Sequence, residues 1–433
     1  MAKILRGLKH LVQCPLFASF FLLGTVSAHA ATYYVATTGS DSNLGTLNQP
    51  FRTVTKGVSA LKPGDTTFVR AGTYAEGFNT NFFDFPSGTS WTSAVTLAAY
   101  PGESVTLRPN GGGSVFNFAK EPDKYIIIDG LIIDAINTTM DYAVSINQGS
   151  HHIRFQDCEI KNAYGGGVGI WWGNNNKLSS DFNEFINCEI HHNGRGGGAG
   201  FPDQAPGIGI GHGLYITTQN NLFKGNRVHD NGGYGFHLYN GDFPTMYTAN
   251  NVIKDNIVYR NGFNTTRYGQ VSGGGIILAS GNNNIAYNNL VYDHPVNGID
   301  AYGSQAYSGT RVYNNTVYNN GGVDIQTITF SGGGSGEIRN NIAYPKGISN
   351  SIAGYMMSNN LTTDPKFVDA TANDFRLLSI SPAIDKGATL TPVKTDIAGV
   401  PRPQGASHDI GAHEFSTKQD TTPPGRPTNL TVR

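Results

Sequence analysis

Tyr215, His237, Tyr239, Asp300 and Tyr302 recur at matched places after a glycine, in Gly213-Leu214-Tyr215, Gly235-Phe236-His237-Leu238-Tyr239 and Gly298-Ile299-Asp300-Ala301-Tyr302, and His212 precedes the glycine of its strand. Side chains alternate across a strand. The apolar rows Ile170, Leu214, Phe236, Ile276, Ile299 and Ile216, Leu238, Leu278, Ala301 are therefore expected inside. The outward column is then Trp171, Tyr215, His237, Ile277, Asp300 and Asp324, with Gly173, Thr217, Tyr239, Ala279, Tyr302 and Gln326 beside it and His212 and Tyr234 on its flank. A slip of one residue would bury His237 and Asp300, which is costly without partners. Rings interspersed with imidazole and carboxylate on a ridged face suit carbohydrate, because sugar C–H faces lie on rings while polar groups take the hydroxyls.

Three readings follow. Elimination from an acidic polysaccharide needs a base at the sugar C5 proton, an acid at the leaving oxygen and a cation for the carboxylate. His212 or His237 is the expected base, Tyr215 or Tyr239 the acid, and Arg195 or Arg267 the carboxylate partner. Trp171, Tyr239 and Tyr302 would hold the sugar rings. Hydrolysis would use Asp300 and Asp324, expected to face outward on adjacent coils about 5 Å apart, a spacing that fits an acid–nucleophile pair. The same two carboxylates could bind Ca²⁺, although two alone make a thin site. The third reading is a glycan-binding surface protein without turnover. The longest insertions, 195–211 and 264–274, are expected as walls beside this strand.

The elements that must position these residues come from a repeat. Cys158-Glu159-Ile160, Cys188-Glu189-Ile190, Asn226-Arg227-Val228, Asn256-Ile257-Val258, Asn289-Leu290-Val291, Asn315-Thr316-Val317 and Asn341-Ile342-Ala343 align, with Gly130-Leu131-Ile132 upstream, in steps of 28, 30, 38, 30, 33, 26 and 26 residues. Each unit is one rung of a stack that cannot bury its apolar face alone. Its pieces are short, alternate in polarity and are split by Asn and Gly, which suits strands and turns. The expected fold is all-β, a parallel β-helix (solenoid). Asn226, Asn256, Asn289, Asn315 and Asn341 are expected to stack at one corner, each amide donating to the next. Asn193, Asn231, Asn261 and Asn320, each followed by Gly, mark a second corner where left-handed backbone is tolerated. Tyr259, Tyr292, Tyr318 and Tyr344 read as structural stacking on another strand. Cys158 and Cys188 occupy the Asn position of adjacent coils, as neighbouring inward thiols or as a disulfide. With no CxxC, a cysteine metal site is not expected. Val54, Val58 and Leu61 have helical spacing, and a short helix there would cover the open end of the stack. A net charge of −1 provides no basic field for nucleic acid.

The opening, from Tyr33-Tyr34-Val35-Ala36-Thr37-Thr38-Gly39-Ser40-Asp41 through Gln49-Pro50-Phe51, Lys62-Pro63-Gly64-Asp65 and Arg70-Ala71-Gly72-Thr73-Tyr74, resembles that of secreted right-handed parallel β-helix proteins of the pectate-lyase-like superfamily. That resemblance covers roughly 32–345 and implies a right-handed coil acting on extracellular polysaccharide, with a polysaccharide lyase as the expected enzyme. Gly211-His212-Gly213 resembles a short motif of β-helix polygalacturonases, but the clustered aspartates before it and the Arg-Ile-Lys after it are not found. The Asp-rich calcium cluster of calcium-dependent β-helix pectate lyases is not recognisable either. Residues 1–30 resemble a secretory signal, with Lys3, Arg6 and Lys9 before an apolar run and Ala28-His29-Ala30 as the cleavage site. The expected divisions are an N-terminal cap and first coils over 31–120, β-helix repeats over 121–345, and C-terminal coils and cap over 346–415. The segment 416–433 resembles a linker and the start of a fibronectin type III module. The mature chain is expected outside the cell as a monomer without a membrane span, cell surface and periplasm being the alternative addresses.

Overall fold

The computed structural model describes residues 30–121, 123–139, 142–173, 178–194, 211–239, 248–262, 266–267, 270–271, 273–304, 307–331 and 333–416. The expected signal segment up to residue 29, the fibronectin-like stretch after 416, and Arg195 lie outside the described residues, as does the side chain of Arg267.

Strands of mostly three residues form three long parallel sheets of twelve, ten and ten strands. Each coil gives one strand to each sheet, so the repeat is a rung of a right-handed parallel β-helix, as the sequence predicts. The inward rows keep register: Leu214, Phe236, Ile276, Ile299 and Ile325 pair in succession, and all are buried. Phe155, Phe185 and Phe223 stack at centroid distances of 5.1 and 6.0 Å along the interior. A rung's short strands bury little alone, and neighbouring rungs complete the core.

The helix Val54–Ser59 lies where its periodicity predicts and buries Val54 and Val58 against the first coil. Thr53 Oγ1 accepts from Lys56 N, and the Glu76 carboxylate accepts from Val54 N and Thr55 N, so the helix start is satisfied. Among the described residues no helix is long and apolar enough to cross a membrane.

Asparagine ladders fix the corners. Asn226, Asn256, Asn289, Asn315 and Asn341 pass Nδ2–H to the next Oδ1 at 2.9–3.0 Å, and Asn360 ends the series. The second column runs Asn193, Asn231, Asn261, then His294, Asn320 and finally Asp324. A third ladder, Asn183–Asn221–Asn251–Asn284, was not foreseen. At each second-column corner the residue before the ladder position (His192, Asp230, Arg260, Asp293 and Asn319) is left-handed and the ladder residue is not, while Gly194 and Gly262, after Asn193 and Asn261, also take positive φ as the sequence predicts. This places the ladder amide inward while the preceding residue turns the chain.

Cys158 and Cys188 are free and buried. Cys188 N donates to Asn226 Oδ1, so the thiol coil begins the first ladder. The stacking of Tyr259 on Tyr292 at 5.2 Å, and the in-register Tyr318 and Tyr344, bears out the tyrosine column. The C-terminal segment adds the last strands, Ile348–Asn350 and Tyr355–Ser358, and then docks along the side of the stack, where it was expected only to close the end. Phe375 packs on Tyr292 and Tyr318, and Leu390 and Val393 on Tyr287 and Tyr313. That docking consumes the tyrosine face as structure.

Candidate functional site

One ten-stranded sheet carries the candidate residues, and its outward line can be read from the pairing. Asn79, Asn117, Ser145, Gly169, Tyr215, His237, Ile277, Asp300, Gln326 and Ser349 follow one another. Two expected members are displaced by two residues. Gly169, not Trp171, lies beside Tyr215, and Gln326, not Asp324, lies beside Asp300.

Trp171 nevertheless reaches the line. A Cβ on Gly169 would fall 2.5 Å from Trp171 Nε1, so the indole folds back over the glycine and fills its empty outward position. Ring contacts then run from Tyr142 to Trp171 (5.3 Å), Trp171 to Tyr215 (4.8 Å), Tyr215 to His237 (4.8 Å) and His237 to Tyr239 (5.6 Å). Tyr142 was not singled out in the sequence, because its contribution depends on a loop returning over Gly166, where a Cβ would meet its ring. We expect Gly169→Ala to push the indole off this line. Tryptophan fluorescence should shift while the circular dichroism stays native, and glycan affinity should fall about fivefold for loss of one stacking ring.

His212 and His237 form a pair. Tyr234 N donates to His212 Nδ1 at 2.9 Å, and His212 Nε2 lies 2.7 Å from His237 Nδ1. A backbone amide can only donate, so His212 Nδ1 holds no proton and neutral His212 carries it on Nε2. His237 Nδ1 then accepts, and the His237 proton sits on Nε2. A further proton on His237 Nδ1 would face the His212 N–H. Desolvation pushes His212 well below the usual imidazole range, with His237 adding to it, and burial lowers His237 to about 3. The pair is therefore neutral near pH 7 and offers a fixed N–H donor. Neither ring is placed to act as the base that the sequence suggested.

The expected carboxylate pair does not form. Asp324 belongs to the second asparagine ladder, where Asn320 Nδ2 and the Lys346 and Gly347 amides donate to it. It is fully buried because it ends a corner column. Asp300 does lie on the outward line, with Gln326 Nε2 donating to it at 2.8 Å. Only 2% of it is exposed, and desolvation lifts its carboxyl to about 6 against the pull of Gln326 and Asn297. Burial lifts Tyr215 to about 12, with Tyr239 adding to it, and lifts Tyr302 to about 12 with Asp300 adding to it. Tyr234 rises further, through burial and then Asp300 and Tyr302. The phenols stay protonated at neutral pH.

Among the described residues no group of three or more His, Cys, Asp or Glu is arranged to hold a metal ion. With Asp300 and Asp324 turned to different networks, the two-carboxylate calcium site has no basis. Arg267 lies in the two-residue strand Thr266–Arg267, paired with Gln270–Val271 in the insertion expected as a wall.

Comparison with known proteins adds to this geometry. Residues 33–351 match the family described as Pel9A-like, right handed beta helix region. The uncharacterized protein YwoF of Bacillus subtilis (strain 168) is 32% identical over 139 residues, which cover 30% of this chain and 28% of that protein. The chain thus spans less than a third of the curated relative it matches. Among solved structures, pectate lyase Pel9A superposes with a TM-score of 0.66 at 20% identity, covering 89% of this chain and 96% of its own. A rhamnogalacturonan lyase gives 0.59 at 16% identity, covering 86% and 99%. XylC in complex with xylose gives 0.54 at 12%, covering 89% and 98%. At these identities the likeness is one of fold.

Proposed function

From a chain that belongs to the Pel9A-like right-handed β-helix family, we propose that it acts outside the cell on a uronate-containing polysaccharide, cleaving it by β-elimination. The observation that carries the reading is the continuous face of rings and imidazoles from Tyr142 to Tyr239, with the raised carboxyl of Asp300 on the same outward line. Trp171 and Tyr239 are platforms for sugar rings. Asp300, ionised above about pH 6, takes the C5 proton. The electron pair of that C–H bond forms the C4–C5 double bond as the C4–O bond breaks. The departing oxygen takes the proton of Tyr302, two residues along the strand of Asp300 and close enough to feel its charge. A phenol held near 12, as Tyr302 is, stays protonated until an alkoxide, a stronger base, appears beside it. The His237 Nε2–H, kept in place by His212, donates to the uronate carboxylate and steadies the charge that develops there. Arg195 and Arg267 are the proposed cationic partners of that carboxylate.

The near-complete burial of Asp300 favours one other reading, a glycan-binding surface without turnover. A screen of acidic polysaccharides separates the two. New ultraviolet absorbance from unsaturated uronate ends is the expected result. Reducing ends without that absorbance would replace elimination by hydrolysis, and retention on the polysaccharide with no new ends would leave binding alone.

A further inference from the structure

We propose that the cleft at the N-terminal end of the same sheet face is a second saccharide subsite, one that takes a neutral, hydroxyl-rich sugar. The inference rests on the reading of the aromatic face as a polysaccharide site and extends it to the make-up of the polymer. The cleft has a volume of about 450 Å³ and is lined by Asn81, Asn117, Lys120, Glu121, Asn147 and Gln148.

Its place on the fold is the first argument. Asn117 belongs to the outward line that continues through Ser145 and Gly169 to Tyr215. Three strand spacings separate Asn117 from Tyr215, about 14 Å. The indole of Trp171 over Gly169 fills the interval. A ligand that occupies both places is an oligosaccharide lying along the axis of the coil.

The chemistry of the lining is the second argument. Asn147 Nδ2 donates to Asn117 Oδ1 at 3.0 Å and to Ser145 Oγ at 3.2 Å. That leaves the Asn117 amide N–H groups and the Asn147 amide oxygen without a partner among the described residues. One donor set and one acceptor, side by side and half-exposed, match the paired donor and acceptor character of vicinal hydroxyls. Phe82, next in the chain to the cleft-lining Asn81, is 90% exposed and adds a free ring at this end of the face.

Charge decides against a second uronate. Among the described residues Lys120 is the one cation lining the cleft; Glu121 stands next to it, and Asp84 already pairs with its ammonium. The three together carry a net negative charge, which repels a carboxylate. Amides carry no such penalty and take hydroxyls at any ionic strength. The proposed polymer therefore has neutral residues within a few units of the uronate that is cleaved.

The test is affinity electrophoresis of the intact protein against polygalacturonate, in which every residue is charged, and against rhamnogalacturonan backbone and xanthan, in which neutral residues intervene. We expect tighter retention on at least one mixed polymer. The double change N117A and N147A should weaken that retention about tenfold and leave polygalacturonate retention as it was. N81A, on an exposed loop, should show the same selectivity with a smaller loss. K120M should change neither result. Equal losses on all polymers, no loss in either asparagine variant, retention that follows Lys120, or no retention on any polymer would overturn the subsite. Cleavage of uronate polymers with undisturbed asparagine variants would sink the subsite and spare the lyase reading. Selective asparagine effects without unsaturated ends from any polymer would do the opposite.

Discussion

Replacing Asp300 by Asn is expected to lower turnover about 10²- to 10⁴-fold, the usual contribution of a positioned proton acceptor, while the fold becomes more stable at neutral pH. Both effects come from one cause. Burial raises the Asp300 carboxyl from 3.8 to about 6, so the folded chain holds a proton there that the unfolded chain has released. Stability is then fullest below 3.8 and falls as pH rises through about 6, by about 3 kcal/mol in all. Asn carries no charge and avoids that loss. Its amide N–H₂ would meet Asn297, which donates to Asp300 in the native site, so the net gain above pH 6 is nearer 1–2 kcal/mol. The activity of the native chain should rise through about pH 6 as Asp300 ionises. Unsaturated ends measured against pH, together with thermal unfolding of both chains at pH 5 and pH 8, check the pair of effects. Full activity in the Asn variant would remove Asp300 from the chemistry. A variant less stable than the native chain at pH 8 would mean that its hydrogen bonds outweigh its desolvation.

Asn256→Ala is expected to cost about 3–5 kcal/mol, among the largest single effects in the molecule. Asn256 Oδ1 accepts from both Asn226 N and Asn226 Nδ2, and its Nδ2 donates to Phe223 O and Asn289 Oδ1. Alanine leaves Asn226 N and one Nδ2–H without the acceptor they share, the other Nδ2–H staying on Phe185 O, and strips a donor from the Phe223 carbonyl, in a corner that water does not reach, since Asn226, Asn256 and Asn289 are each fully buried. Asn360→Ala at the end of the same ladder is the control. Its side chain serves three bonds against the four of Asn256, and it is only half-buried. Water can replace the lost partners there, and the cost should be about 1 kcal/mol. Denaturant unfolding followed by circular dichroism separates these values. A loss below 1 kcal/mol in Asn256→Ala would mean that the ladders follow the fold without holding it together.

Much of this architecture was legible in the chain. Alternation over three residues allows one inward set, and the predicted rows from Ile170 to Ala301 are the buried ones. The first asparagine ladder was legible because each of its members is the same residue type two places before an apolar one. The third was missed because Asn221, Asn251 and Asn284 each end a run of consecutive asparagines, so residue type does not single out the ladder member, and Asn183 stands outside any such run. Of the candidate site, Tyr215, His237 and Asp300 were placed correctly on the outward line. Trp171 and Asp324 were assigned two residues out of register. A shift of two conserves the face of a strand, so the hydrophobic pattern cannot detect it.

The sequence by itself determined the coil, its inward rows, its asparagine corner and the sheet that carries the line of rings and imidazoles. These follow from periodicity, and periodicity is local. Tertiary structure alone decided which side chains meet across coils: the indole of Trp171 over Gly169, the His212–His237 pair held by the Tyr234 amide, the withdrawal of Asp324 into a ladder and the lift of the Asp300 carboxyl. Each depends on the offset between one rung and the next and on what is buried between them, and residues about thirty positions apart along the chain do not record that offset in their order.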